Sequence, residues 1–169
     1  MKQIHIKKLT LAGILVAVTV VCSPFSIPVG ASRCCPVQHF INILSGVFLG
    51  PGYAVAVAFC TSLIRVITGT GTLLAFPGSM CGALLCGVLY RYTNKLPLSY
   101  LGELFGTSVV GGILSYPVAV LLMNNGTAAL FTFVMPFFVS SFGGTLLAAV
   151  LVTLMKKSKV LDLYLGDLQ

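Results

Sequence analysis

Apolar residues run along this chain in six long blocks, separated by short breaks rich in proline, glycine or charge. The first block spans roughly Ile6 to Val21 and stops at Ser23-Pro24, because a proline restricts the residue before it. The second begins near Val37 and ends at Gly50-Pro51-Gly52, a strong turn signal. The third covers Tyr53 to about Ile67, and Thr68-Gly69-Thr70-Gly71-Thr72 makes the turn after it. The fourth runs from Leu73 to about Tyr90, the fifth from about Ser99 to Met123 and the sixth from about Ala128 to Met155. A helix needs about 20 apolar residues to cross hydrocarbon. The pattern therefore predicts an all-α integral membrane bundle of six transmembrane helices. One such domain occupies residues 1–169.

Composition agrees with that pattern. The chain is 57 % hydrophobic and 8 % charged, whereas a soluble domain is about a quarter charged. Short loops and two tails use up the remainder, which leaves no room for a soluble catalytic or nucleotide-binding domain. The net charge of +7 does not indicate nucleic acid, because the cations cluster beside apolar blocks. Lys2, Lys7 and Lys8 precede the first block, Arg91 and Lys95 sit between the fourth and fifth, and Lys156, Lys157 and Lys159 follow the last. This is the positive-inside arrangement, with both termini cytoplasmic and only Arg33 and Arg65 on the outer side. The first block also reads as a signal peptide by its basic start, but no soluble mature protein follows it.

Candidate chemistry gathers on the outer side. The loop Pro24 to Pro36 is long for so small a protein, and long loops are often functional. Gln38, His39 and Asn42 open the second helix, with Gln38 and Asn42 on one face and His39 three residues before Asn42. They offer amide donors, amide acceptors and an imidazole, a set suited to a neutral heteroaromatic ligand. Interhelical hydrogen bonding is the other use of such groups. Pro77, Pro117 and Pro136 are expected to break three helices at one level, which points to a shared cavity or to ordinary kinks. Phe76, Tyr116 and Phe137 lie beside those prolines and can stack on a ring or fill the core. Arg65 is a costly charge that either snorkels to headgroups or meets an anionic ligand group. Glu103 is expected near the inner end of the fifth helix, in an ion pair with Arg91 or Lys95.

Other signals are weaker. Cys34, Cys35 and His39 lack a second ligand pair at zinc spacing, so no metal site is expected. Asn125-Gly126-Thr127 matches a glycosylation acceptor but reads better as a turn close to the membrane. No phosphate-binding loop, nucleophile triad or paired carboxylates occur, so the chain is not expected to be an enzyme or to hydrolyse ATP itself. Small residues at four-residue spacing (Gly13 and Ala17, Gly46 and Gly50, Gly78 and Gly82, Gly102 and Gly106) allow close helix packing. Most belong to packing within the bundle, but Gly13 and Ala17 lie on a first helix that is free to face a partner.

Three stretches carry a family resemblance: Ser23-Pro24-Phe25-Ser26-Ile27-Pro28-Val29-Gly30, Pro36-Val37-Gln38-His39, and Gly69-Thr70-Gly71-Thr72-Leu73-Leu74-Ala75-Phe76-Pro77-Gly78-Ser79. Through them the chain resembles the substrate-binding S components of bacterial energy-coupling-factor (ECF) vitamin transporters, and within those the ThiW family. The resemblance implies a multi-pass protein of the bacterial cell membrane that captures hydroxyethylthiazole, or its phosphate, from outside. Thiamine or hydroxymethylpyrimidine is the alternative cargo, and a non-transport bundle the alternative class. It also implies partners: a transmembrane coupling protein, docked on Gly13 and Ala17, and two cytoplasmic ATPases that use ATP. No cofactor is expected in this chain. The loop after the first helix would cover the ligand.

Overall fold

The computed structural model describes residues 2–29 and 32–158. Gly30 and Lys159, both used in the sequence reading, lie outside the described residues. The first apolar block forms α1 (Lys2–Cys22), closed by a single 3₁₀ turn (Ser23–Phe25) at the expected proline. The following loop is not wholly irregular. Ile27–Val29 (β1) and Ser32–Cys34 (β2) pair antiparallel, with Ile27 opposite Cys34 and Pro28 opposite Arg33. The β-branched Ile27 and Val29 favour an extended backbone, which accounts for this small hairpin.

Proline at the first helical position, where its missing N–H is no loss, starts α2 (Pro36–Phe48) and α3 (Pro51–Ile67). Two further helices follow, α4 (Ala75–Thr93) and α5 (Leu96–Phe105). Asn94, in the left-handed conformation at φ 53°, stops α4. A π-helical turn, Gly106–Gly111, joins α5 to α6 (Gly112–Leu121) in one continuous rod. The last helix, α7 (Val134–Lys157), starts later than its apolar block because residues 122–133 form turns.

The result is all-α apart from the hairpin: six helical rods, the fifth made of α5, the π turn and α6. Among the described residues, three stretches are long and apolar enough to cross a membrane: His5–Phe25, Leu96–Leu121 and Val134–Met155. α2 has 13 residues and spans only about 20 Å, because Cys35 and the hairpin sit where a longer helix would continue. It is the central element. Nine of its residues are buried, and it packs against α1, α3, α4, α5 and α7.

Two of the expected helix breaks are absent. Pro77 and Pro136 are the third residues of α4 and α7, where the backbone N–H has no partner within the helix in any case. Only Pro117 lies inside a helix. The irregularity that the prolines were expected to supply is instead the π turn, a feature with no simple sequence signature.

The small residues divide as expected between interior packing and an open face. A Cβ on Gly111 would meet the Gly78 Cα at 2.5 Å, and one on Gly102 would meet the Leu85 carbonyl oxygen at 2.9 Å. A Cβ on Gly13 would touch nothing within 4 Å, and Ala17 on the same helix is also exposed. Gly111→Ala should therefore destabilise the folded protein by about 1–3 kcal/mol through overpacking, while Gly13→Ala should leave it unchanged. Thermal unfolding of the detergent-solubilised variants checks both, and equal melting temperatures for the two would contradict this packing.

Candidate functional site

The polar residues at the start of α2 do not face lipid. Gln38, His39 and Asn42 are buried, and all three enter one hydrogen-bonded network between α2, α3, α4 and α5. Ser79 on α4 is its hub. Its hydroxyl accepts from Gln38 Nε2 at 2.8 Å and from Asn42 Nδ2 at 3.2 Å. Gln38 Nε2 also donates to Ser62 at 3.1 Å, and Gln38 Oε1 accepts a hydrogen bond from Arg65 Nη1.

Glu103 corrects the sequence reading. It makes no ion pair with Arg91 or Lys95, both of which are exposed. The carboxylate is 0 % exposed; Oε1 accepts from Asn42 Nδ2 at 3.0 Å and Thr107 Oγ1 at 3.0 Å and lies 2.9 Å from His39 Nδ1. The physical reason is the helix start. The rod begins at Leu96, so Glu103 lies about 10 Å along it, two turns from the end. Oε2 rests beside Gly82 and has no partner among the described residues.

Arg65 also corrects one alternative, because it does not snorkel. It is 1 % exposed, near the end of α3, and Nη2 donates to the Thr70 carbonyl at 3.1 Å. Its Nε has no partner among the described residues. Arg33 on β2 donates to the neighbouring Gly69 carbonyl at 3.0 Å. Gly69 sits at φ +73°, a conformation that glycine adopts without strain and that turns its carbonyl outward to this contact. The two arginines thus hold the same turn, one from the hairpin and one from the bundle.

Together these groups enclose a cavity of about 30 Å³, lined by Gln38, His39, Arg65, Ser79, Thr107 and Phe137, with Arg33 and Cys35 at the hairpin side. The hairpin forms its roof and is pinned on two sides. Ser23 Oγ and Thr70 Oγ1 are 2.9 Å apart on one side, and the Cys35 N–H donates to Ser140 Oγ of α7 at 2.9 Å on the other. The Cys34 Sγ adds a contact of 3.3 Å to the Pro136 carbonyl. Burial pushes the Cys34 thiol above its ordinary value, and the contact with Ser140 opposes that shift. All six cysteines are free thiols. No group of three or more His, Cys, Asp or Glu among the described residues is placed to hold a metal.

Phe76 and Tyr116 do not line this cavity. Phe76 packs on Phe59 with ring centroids 5.5 Å apart. The cavity side of α4 carries Ala75, Gly78 and Ser79, spaced at i, i+3 and i+4, which turns Phe76 away. On α6 the buried face carries Ser115, hydrogen-bonded to the Gly111 carbonyl at 2.8 Å, and Tyr116 is its half-buried neighbour. Phe137 is the aromatic that reaches the cavity. Ser79 and Thr107 were not singled out from sequence. A usable signal existed for Thr107, since it follows Glu103 by four residues on one helical face.

A roofed polar cavity inside an apolar helical assembly is the build of a membrane protein that handles a small molecule. Residues 9–158 match the family described as thiamine-precursor transporter protein (ThiW), and the chain belongs to that family. It is accordingly a membrane transport protein for a thiamine precursor. No curated protein and no solved structure matches the chain.

Two outcomes follow from this geometry. Ser79→Ala leaves two buried amides short of a partner and should cost about 1–3 kcal/mol of stability, read as a lower melting temperature. Arg33→Ala removes one pin of the roof and should speed alkylation of Cys34 and Cys35, followed by mass spectrometry of the labelled peptides. An unchanged rate would show that the hairpin does not depend on the Gly69 contact.

Proposed function

We propose that this protein is the substrate-binding S component of an ECF-type importer, taking hydroxyethylthiazole or its phosphate from outside the cell. The observation that carries the reading is the roofed cavity itself, which offers amide, imidazole and hydroxyl groups beside one aromatic ring, Phe137. Few polar groups in an otherwise apolar surround are what a small heteroaromatic ligand needs for orientation. The free interior is about 30 Å³, room for a water or two, so any ligand must lift the roof or displace side chains. That favours a single ring over two-ring thiamine.

The proposed topology is one transmembrane domain of six spans with both termini cytoplasmic, in a bacterial cell membrane. The charge pattern supports it. Lys8 and Arg91 line one cleft with Gly50, Tyr53 and Asn94, at the turns that the sequence reading assigns to the inner side. Arg33 and the hairpin belong to the cavity at the other end of α2. Of the three helices that do not read as spans by themselves, α2 is shielded by the others, while α3 and α4 keep an exposed apolar face.

The chain carries no phosphate-binding loop, so energy must come from partner subunits: a transmembrane coupling protein and two ATPases. Gly13 and Ala17, on the open face of α1, are the proposed docking point for the coupling protein. No cofactor is required in this chain.

Calorimetric titration of the ligand-stripped protein with hydroxyethylthiazole, its phosphate, thiamine and hydroxymethylpyrimidine tests the receptor reading. A thiazole is expected to bind with a Kd in the submicromolar range, a binding free energy above about 8 kcal/mol in magnitude. Binding of another compound alone would move the substrate. No binding by a folded protein would remove the thiazole reading. Gly13→Leu with Ala17→Leu should abolish uptake by cells while leaving that Kd unchanged, and a parallel loss of binding would refute the docking role.

A further inference from the structure

The deepest polar contact in the protein is the one least expected from its sequence. Glu103 Oε1 receives hydrogen bonds from the Asn42 amide and the Thr107 hydroxyl, and an ionised carboxylate only accepts. The third atom within bonding distance, His39 Nδ1 at 2.9 Å, must then carry the proton. Which ring nitrogen of a histidine is protonated is set by the bond that the other makes. With Nδ1 committed to Glu103, the uncharged ring has its lone pair on Nε2. His39 lines the cavity, and among the described residues Nε2 makes no hydrogen bond.

We propose that Glu103 is a positioning residue that fixes His39 Nε2 as a hydrogen-bond acceptor for a ligand hydroxyl, so that the ligand taken is the alcohol and not its phosphate ester. This rests on the thiazole-receptor reading above. The hydroxyl is the one hydrogen-bond donor of hydroxyethylthiazole, since the ring nitrogen and sulfur only accept. A phosphate monoester in mildly alkaline solution is a dianion and offers no proton to Nε2. Arg33 and Arg65 line the same cavity, and each gives part of its guanidinium to the roof: their hydrogen bonds go to the Gly69 and Thr70 carbonyls and to Gln38 Oε1, while Arg65 Nε has no partner among the described residues. α4 approaches closely here: a Cβ on Gly82 would meet Glu103 Oε2 at 2.7 Å and Thr107 Oγ1 closer still, and would push both side chains.

The chain has two histidines, exposed His5 and buried His39, so nitrogen NMR of histidine-labelled protein resolves the question directly. In mildly alkaline buffer the buried ring should show a protonated Nδ1 and an unprotonated Nε2. Adding hydroxyethylthiazole should move the Nε2 resonance. Adding 4-methyl-5-ethylthiazole, which lacks the hydroxyl, should not, and it should bind about tenfold more weakly, the worth of one buried hydrogen bond. The phosphate ester should bind more weakly than the alcohol.

Glu103→Leu frees the imidazole and should cost the alcohol about tenfold in Kd while changing the deoxy analogue little. Glu103→Gln keeps an acceptor oxygen for Asn42 and Thr107 and should restore most of the affinity. A buried ring protonated on Nε2, an Nε2 resonance unmoved by a bound alcohol, or tighter binding of the phosphate ester would each overturn the proposal. The wild-type spectra suffice even where Glu103→Leu fails to fold. Absence of any thiazole binding by the wild type would instead refute the receptor reading, and this inference with it.

Discussion

A carboxylate with no access to solvent, inside a bundle of apolar helices, is the constraint around which this structure is arranged. Glu103 is 0 % exposed, and burial of an unpaired charge costs far more than a small protein's whole stability. Three donors must therefore reach one oxygen. His39 and Asn42 come from α2 and Thr107 from the π turn that follows α5. That convergence fixes how deep α2 sits and which way it is rotated. It also requires α4 and the fifth rod to touch backbone to backbone, as at Gly111 and Gly78. Other hydroxyls bond within their own helices. Thr19 and Ser115, for example, bond to carbonyls four residues back.

The second buried charge completes the same network from the hairpin side. Arg65 reaches Gln38, Gln38 reaches Ser79, Ser79 reaches Asn42, and Asn42 reaches Glu103. The cavity lies along this chain of contacts, and the hairpin closes it by holding the turn that Arg65 also holds. Roof and floor are therefore parts of one polar unit.

Much of the fold was legible because membrane helices announce themselves. The apolar blocks, their proline and glycine ends, and the α2 cluster of Gln38, His39 and Asn42 could all be read from spacing. What escaped depended on depth. Starting the fifth helix at Ser99 instead of Leu96 moved Glu103 toward the surface, where pairing with Arg91 or Lys95 looked natural. Ser79 and Thr107 escaped because lone hydroxyls in apolar helices usually bond to their own backbone, as Ser108 does with the Leu104 carbonyl. The prolines misled in the opposite direction. Pro77 and Pro136 look like interior breaks only if α4 and α7 begin as early as their apolar blocks do.

The roof has a kinetic meaning. With about 30 Å³ free beneath it, the closed form holds a water or two, so on the proposed reading a ligand enters through an opened minority of molecules. Observed affinity is then the intrinsic affinity scaled by the fraction open, and the encounter rate is scaled in the same way. Every hydrogen bond between the hairpin and its neighbours slows entry and prolongs residence together. On that reading the pins at Gly69 and Ser140 set how long a bound molecule stays.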